Sequence, residues 1–280
     1  MSEFIPYPYT DGQLIERVNQ IISKDYSAVQ YQEALRLILA AIYLTTLEAT
    51  DTDEKVKALC TQAMSFSSRK GNAPDVAAVC IYPPFVSLVK KQLKGSHIKV
   101  ASVATAFPSG QTALVVKEKE VSFVVEEGAD EVDMVISRGK FLEGKYDQVQ
   151  EEIESIKQLC RNAHLKVILE TGELENVKNI RKASEIALLA GADFLKTSTG
   201  KIQPAATPEA FLIMLDTIKE YHSNTGKKVG IKAAGGIADT KTALVYLKLT
   251  EAVLGKAWLN KDLFRIGASR LAENVFRELS

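Results

Sequence analysis

The stretch RKASEIALLAGADFLKTSTGK (181–201) holds one complete structural unit. A helical run closes on Gly191, Ala192-Asp193 follows, and an apolar strand ends on Lys196. Glycine suits such a helix end because it enters the left-handed region at no steric cost. The same Gly-Ala-Asp recurs at 128–130 ahead of another strand, a weak internal echo of one αβ unit.

Working outward, short runs rich in Val, Ile and Ala alternate with amphipathic patterns along the whole chain. The strand candidates are Ile42–Leu47, Ala77–Tyr82, Ile98–Ala104, Glu131–Ile136, Lys166–Glu170, Asp193–Thr197, Val229–Ala233 and Phe264–Gly267. Their near-continuous apolar character is that of strands buried on both faces, as in a parallel sheet. Between them, Val56, Leu59, Cys60 and Ala63 form a stripe at helical spacing, as do Ile153, Ile156, Leu159 and Cys160, and Phe211, Leu215 and Ile218. Asp51 and Glu54 have the spacing of a capping box, with Asp in place of Ser or Thr. Eight strands separated by helices favour an α/β fold closed as a (β/α)8 TIM barrel, with an open doubly wound sheet as the alternative. The length of 280 residues suits a barrel, which needs about 250. The expected organisation is a short helical extension over residues 1–36 and a catalytic barrel over 37–280.

Acidic and basic residues balance at 35 each, so no net charge draws nucleic acid or an anionic membrane as partner. Cys60, Cys80 and Cys160 are widely spaced, with no CxxC pair, which points away from zinc and disulfides and toward a reducing, cytoplasmic setting. The opening MSEFIPYPYT lacks the basic start and apolar run of a signal peptide. The longest apolar stretch, Leu35 to Leu44, contains Arg36 and is too short to span a bilayer. A soluble protein is expected.

Lys196 ends an apolar strand, the position at which barrel enzymes carry their chemistry. Thr197-Ser198-Thr199-Gly200-Lys201 follows it with hydroxyls, a flexible backbone and a second cation, the makings of a phosphate grip. Lys232 repeats the arrangement in Val229-Gly230-Ile231-Lys232, followed by Ala233-Ala234-Gly235-Gly236. Two lysines ending adjacent parallel strands point into one mouth. A free lysine of pKa about 10.4 is neutral in only ~1 in 2,500 molecules at pH 7, and only the neutral amine attacks a carbonyl. A second ammonium about 6 Å away, at an effective dielectric of ~20, costs the charged form nearly 3 kcal/mol, about two pKa units. Asp133, between Val132 and Met134, is an acid inside a strand and must be paired or functional; Glu131 shares its face. The pattern predicts a Schiff-base nucleophile at Lys196 with Asp133 as lysine partner and proton relay.

These residues bring the chain into resemblance with the deoxyribose-phosphate aldolase family of class I aldolases. The similarity runs from about Leu44 through DTDEKV (51–56), VCIYPPFV (79–86), GADEVDMV (128–135), VILETGEL (167–174), the run 181–201, VGIKAAGG (229–236) and RIGAS (265–269). It implies reversible cleavage of 2-deoxy-D-ribose 5-phosphate to D-glyceraldehyde 3-phosphate and acetaldehyde, with no metal or other cofactor, in deoxyribonucleotide and carbohydrate catabolism. By the resemblance Lys196 forms the Schiff base, Lys232 lowers its pKa and Asp133 assists proton transfer. Thr199, Gly200, Lys201, Gly235, Gly236, Gly267 and Ser269 would hold the substrate and its phosphate, and Cys80 would line the pocket. A homodimer is in keeping with the family. The chain departs from the common pattern at Tyr43, where an aspartate is frequent, at Ala233, where a proline is, and at Arg270, where a second serine is. It also ends at Ser280 without the tyrosine that some members carry.

Three other readings compete. A metal-dependent aldolase would need clustered imidazoles, but His97 and His164 precede strands at the wrong end of a barrel and His222 lies near a helix end. A different Schiff-base enzyme on the same fold is set against the KTSTGK context. A non-catalytic phosphosugar-binding barrel is set against the lysine pair and acid.

Overall fold

A computed structural model of the chain describes residues 4–280. Eight strands form a closed barrel in sequence order. They are β1 (Ile42–Thr45), β2 (Ala78–Ile81), β3 (Lys99–Ala104), β4 (Glu131–Val135), β5 (His164–Ile168), β6 (Phe194–Lys196), β7 (Gly230–Ala234) and β8 (Phe264–Ala268). Every neighbouring pair is parallel, and β1 closes on β8 through Tyr43↔Gly267. Closure leaves no open sheet edge, which settles the choice against the doubly wound alternative.

Strand parity divides the core in two. Leu44, Val79, Val132, Val167, Leu195 and Ile231 face outward into the large apolar layer beneath the helices. Tyr43, Ala78, Cys80, Ala101, Val103, Val135 and Ile168 pack together inside the barrel. Because side chains alternate at period two, an outward Val132 forces Glu131 and Asp133 inward, and an outward Leu195 does the same for Phe194 and Lys196. The interior is therefore partly ionic although each strand reads as apolar.

The Gly-Ala-Asp echo is a working joint. Gly128 and Gly191 take φ of +101° and +88° just past their helices. Ala129 N–H then reaches Val124 O and Ala192 N–H reaches Ala187 O, the closing bond of a Schellman turn. In both units the aspartate then ties down the preceding strand. Asp130 accepts from Val100 N–H at 2.8 Å, and Asp193 accepts from Leu165 N–H at 2.7 Å.

Two helices precede β1: α1 (Asp11–Ile22) and α2 (Ala28–Ala41). Capping boxes start both, Thr10 with Gln13 and Ser27 with Gln30. Helix α1 packs on the helices Pro208–Thr225 and Thr240–Leu254, while α2 contacts Thr240–Leu254 and Leu271–Glu278 and runs directly into β1. The capping box expected at Asp51 is not formed. Thr52 caps the helix Asp53–Ala63 by accepting from Lys55 N–H, and Asp51 instead accepts from the Thr46 hydroxyl and Glu48 N–H. Threonine one residue later has the shorter reach to the N3 amide. Among the described residues no helix is long and apolar enough to cross a membrane.

Candidate active site

Lys196 is the last residue of β6 and pairs in register with Lys232 on β7. Equal register and equal parity aim both stems at the barrel axis, near the C-terminal ends of the strands. There each Nζ donates to the same oxygen, Oδ2 of Asp133, at 2.8 Å. The second carboxylate oxygen, Oδ1, accepts from the Tyr43 hydroxyl at 3.2 Å. Lys196 is 3% exposed, Lys232 1%, and Asp133 and Tyr43 are wholly buried.

Burial would push the Asp133 carboxyl up, but Lys196, Lys232 and Lys166 outweigh it and hold the group well below the usual carboxylate range. It is an anion at any working pH. For Lys232 the balance goes the other way. Burial, aided by the charge of Lys196, overcomes the attraction of Asp133 and lowers the ammonium to about 7. Burial and the charges of Asp133 and Glu131 push the Tyr43 phenol far above its ordinary range, so it stays a neutral donor.

A second ionic layer lies below the first. Glu131 accepts from Arg265 Nη2 at 2.9 Å, and Lys166 Nζ stands 2.8 Å from its other oxygen. The Phe194 ring lies 4.2 Å from the same Nζ. Burial raises the Glu131 carboxyl, yet the two cations bring it down to about 2. Cys80 sits inside the barrel, fully buried, where loss of water pushes its thiol up to about 11.

Above the lysines opens a cleft of about 350 Å³. Lys196, Lys232, Thr199, Gly200, Lys201, Gly235, Gly236, Gly267 and Ser269 all line it, and Arg270 joins them. Asp133 and Cys80 do not reach this surface and stay in the layer beneath. Among the described residues, Glu48 is the one acid of the charged groups lining the cleft, so the cleft attracts an anion. Gly200 and Gly235 explain how two loops can meet here. Both have positive φ, and a Cβ on Gly235 would lie 2.5 Å from Ala205 Cβ and 3.1 Å from Gly200 Cα.

Glu170 and Arg138 were not singled out from sequence. Glu170 follows β5 in a left-handed conformation, φ 57° and ψ 62°, rare for a side chain of its size. It accepts from both the amide and the hydroxyl of Thr199 and stands 3.4 Å from Arg138 Nη1. The Thr199 hydroxyl is thus spent on holding its own loop. The available signal was the one that exposed Asp133, a carboxylate at an apolar strand, in VILETGEL (167–174). The Lys166 and Arg265 charges inside β5 and β8 carried the same signal.

None of the three histidines enters the site. His164 begins β5, His97 lines a separate cleft at the opposite end of the barrel, and His222 bonds Lys227 O from a helix end. No cluster of three or more His, Cys, Asp or Glu groups suited to a metal occurs among the described residues.

A closed parallel barrel with its buried charges and anion-attracting cleft at the C-terminal ends of the strands defines a (β/α)8 enzyme. Comparison with known proteins narrows the class. Residues 18–261 match the DeoC/LacD family aldolase profile. The deoxyribose-phosphate aldolase of Mus musculus is 41% identical over 277 residues, covering 95% of this chain and 87% of the mouse protein. That of Homo sapiens is 40% identical with the same coverage. Among solved structures, the tetrameric deoxyribose phosphate aldolase from Aeropyrum pernix superposes with a TM-score of 0.69 at 26% identity, over 90% of this chain and 97% of that one. The chain belongs to the DeoC/LacD aldolase family.

Proposed function

We propose that the protein cleaves 2-deoxy-D-ribose 5-phosphate reversibly to D-glyceraldehyde 3-phosphate and acetaldehyde, through a Schiff base on Lys196. The observation that carries this reading is the pair of buried lysines sharing one oxygen of Asp133 beneath an anion-attracting cleft. The neutral Lys196 amine adds to the C1 aldehyde of the open-chain sugar, and loss of water leaves an iminium. That cation draws in the electrons of the C2–C3 bond as the C3 hydroxyl gives up its proton. Glyceraldehyde 3-phosphate leaves, the enamine takes a proton at C2, and water releases acetaldehyde and regenerates the amine. Asp133 relays the protons. Lys201, Gly200, Gly235, Gly236, Gly267, Ser269 and Arg270 hold the phosphate end, and Thr199 shapes their loop.

The structure offers a reason to assign the nucleophile to Lys196 instead of Lys232. The Lys232 ammonium is seated 3.1 Å from the centre of the Tyr43 ring, whereas Lys196 has only Phe107 at 5.9 Å. The opposite assignment has burial in its favour, which lowers the Lys232 ammonium to about 7 and so favours its free amine. Borohydride reduction with acetaldehyde, followed by peptide mass analysis, decides between them. The expected adduct lies on Lys196 and disappears in Lys196→Leu; an adduct on Lys232 reverses the roles, and none at all defeats the mechanism. Release of acetaldehyde from deoxyribose 5-phosphate tests the substrate.

The same reading places the barrel, residues 37–280, as the catalytic unit, with residues 1–36 as an extension. It also places the enzyme in the cytoplasm, where Cys60, Cys80 and Cys160, all free and buried, suit a reducing setting. Self-association, as a homodimer, is part of it; the Aeropyrum pernix relative is described as a tetramer, which supports self-association and not the number of subunits.

A further inference from the structure

Tyr43 occupies the barrel axis at the level where the two ionic layers meet. Its ladder partners are the small residues Ala78 and Gly267, which leaves room for the ring inside the barrel. Two contacts tie it to the upper layer. Its hydroxyl is the hydrogen-bond donor to Asp133 Oδ1, and its ring face carries the Lys232 ammonium. Lys166 Nζ and the Arg265 guanidinium stand 5.4 Å and 5.6 Å from the same ring, on the side of the lower layer.

A carboxylate that offers one oxygen to two amines needs a hold on the other oxygen, or it can rotate and share its charge differently. A buried charged oxygen without a donor is costly, so the phenol both orients the group and stabilises its anion. The ring quadrupole in turn favours a cation above it, which seats Lys232 and restricts its movement. We propose that Tyr43 is a positioning residue for the aldol site: its hydroxyl locks Asp133 so that Oδ2 serves both lysines, and its ring holds Lys232 in place while Lys196 stays free to enter the cleft. This rests on the aldolase reading of the same site and adds a role that the nucleophile, relay and phosphate grip do not include. The ionisable groups facing Asp133 are Lys196, Lys232, Lys166, Tyr43 and Cys80, and Glu131 and Arg265 act on Tyr43 from the lower layer.

The test compares Tyr43→Phe and Tyr43→Leu with the unaltered enzyme. Tyr43→Phe keeps the ring and loses the donor, and kcat is expected to fall about tenfold. KM should change by less than about twofold, because Tyr43 does not line the cleft that grips the substrate. The acid limb of the kcat profile should move to higher pH, since an Asp133 anion that has lost the phenol donor holds its lysine protons more tightly and the free amine appears later. Unaltered kcat with an unmoved acid limb overturns the role of the hydroxyl. A loss of kcat matched by a drop in melting temperature, with the limb in place, makes Tyr43 a packing residue and overturns the proposal as well. Acetic anhydride labelling of Lys232 at pH 7, read by peptide mass analysis, reports the seat without turnover. Removing the ring in Tyr43→Leu should speed that labelling about threefold or more; equal rates in all three proteins overturn the seat. Failure of the unaltered enzyme to form an acetaldehyde adduct would instead defeat the aldolase reading, and the labelling result would still decide on Tyr43.

Discussion

Lys196 and Lys232 are ladder partners on adjacent strands, and their ammonium groups converge on a single oxygen of Asp133, each at 2.8 Å. Two cations therefore lie within twice that distance of each other around one anion, all three of them buried. One of them must release its proton for carbonyl chemistry to begin.

The first prediction concerns Lys232. Its ammonium is lowered to about 7, so the charged form is present below that pH and is lost above it. A role that needs the cation then contributes a falling limb to the rate profile with a midpoint near 7. Lys232→Leu should remove that limb, move the optimum to higher pH and lower kcat by about a hundredfold, in the range for a lost acid–base partner. A full pH–kcat/KM profile checks it; an unchanged optimum counts against the electrostatic role.

Asp133→Asn keeps the shape of the carboxylate and reverses the sense of its bonds. An amide nitrogen in place of Oδ2 would point donors at two ammonium groups, while the oxygen could still accept from Tyr43. The rate should drop about a hundredfold or more, with KM little affected because Asp133 lies beneath the cleft and not in it. Steady-state kinetics that showed mainly a KM effect would place Asp133 in substrate binding.

The phosphate grip is tested at Lys201, whose Nζ pairs with Glu48 at 3.0 Å at the cleft rim. Lys201→Ala should raise KM for the phosphosugar about tenfold and leave kcat nearly unchanged, as expected when a charged hydrogen bond to the substrate is lost in ground and transition states alike. Glu48→Ala frees the cation and should lower KM, by about threefold at most because the site is exposed. Equal KM for 2-deoxyribose and its 5-phosphate in the unaltered enzyme would place the phosphate elsewhere.

Glu131 is a stability prediction. Its carboxyl falls to about 2 in the fold from about 4.3 in an unfolded chain, so its contribution of about 3 kcal/mol is present above pH 4.3 and is lost as pH falls through 2. Glu131→Gln leaves Lys166 and Arg265 buried without their counter-charge and should cost about 3–5 kcal/mol in urea unfolding at pH 7. The gap between variant and parent should narrow toward pH 2, where the parent carboxylate is protonated too. A constant gap would mean the loss is one of packing.

Much of this was legible without coordinates, and the reasons differ from residue to residue. Lys196 and Lys232 could be read because a cation within an apolar strand is conspicuous and the strands are consecutive. Gly191 and Gly128 could be read because a C-cap is a local device. The cap at Asp51 was misplaced by one residue, since Asp51 and Thr52 can both cap and only the path of the chain from Thr46 chooses between them. Glu170 was missed because its partner Thr199 is on another strand's loop, 29 residues away.

The sequence by itself determined the alternation of eight strands with helices, and with it the inward parity of Glu131, Asp133, Lys166, Lys196, Lys232 and Arg265. Period-two alternation is a local property, and once the outward faces are apolar the other face has no freedom. Which of those inward charges meet was decided only by the tertiary structure. Tyr43 touches Asp133 across 90 residues because β1 closes on β8, and the tilt of the strands sets the two side chains at one height. Closure and stagger are properties of the whole barrel, so they sort the same set of charges into an upper layer fitted for chemistry and a lower one that holds the fold.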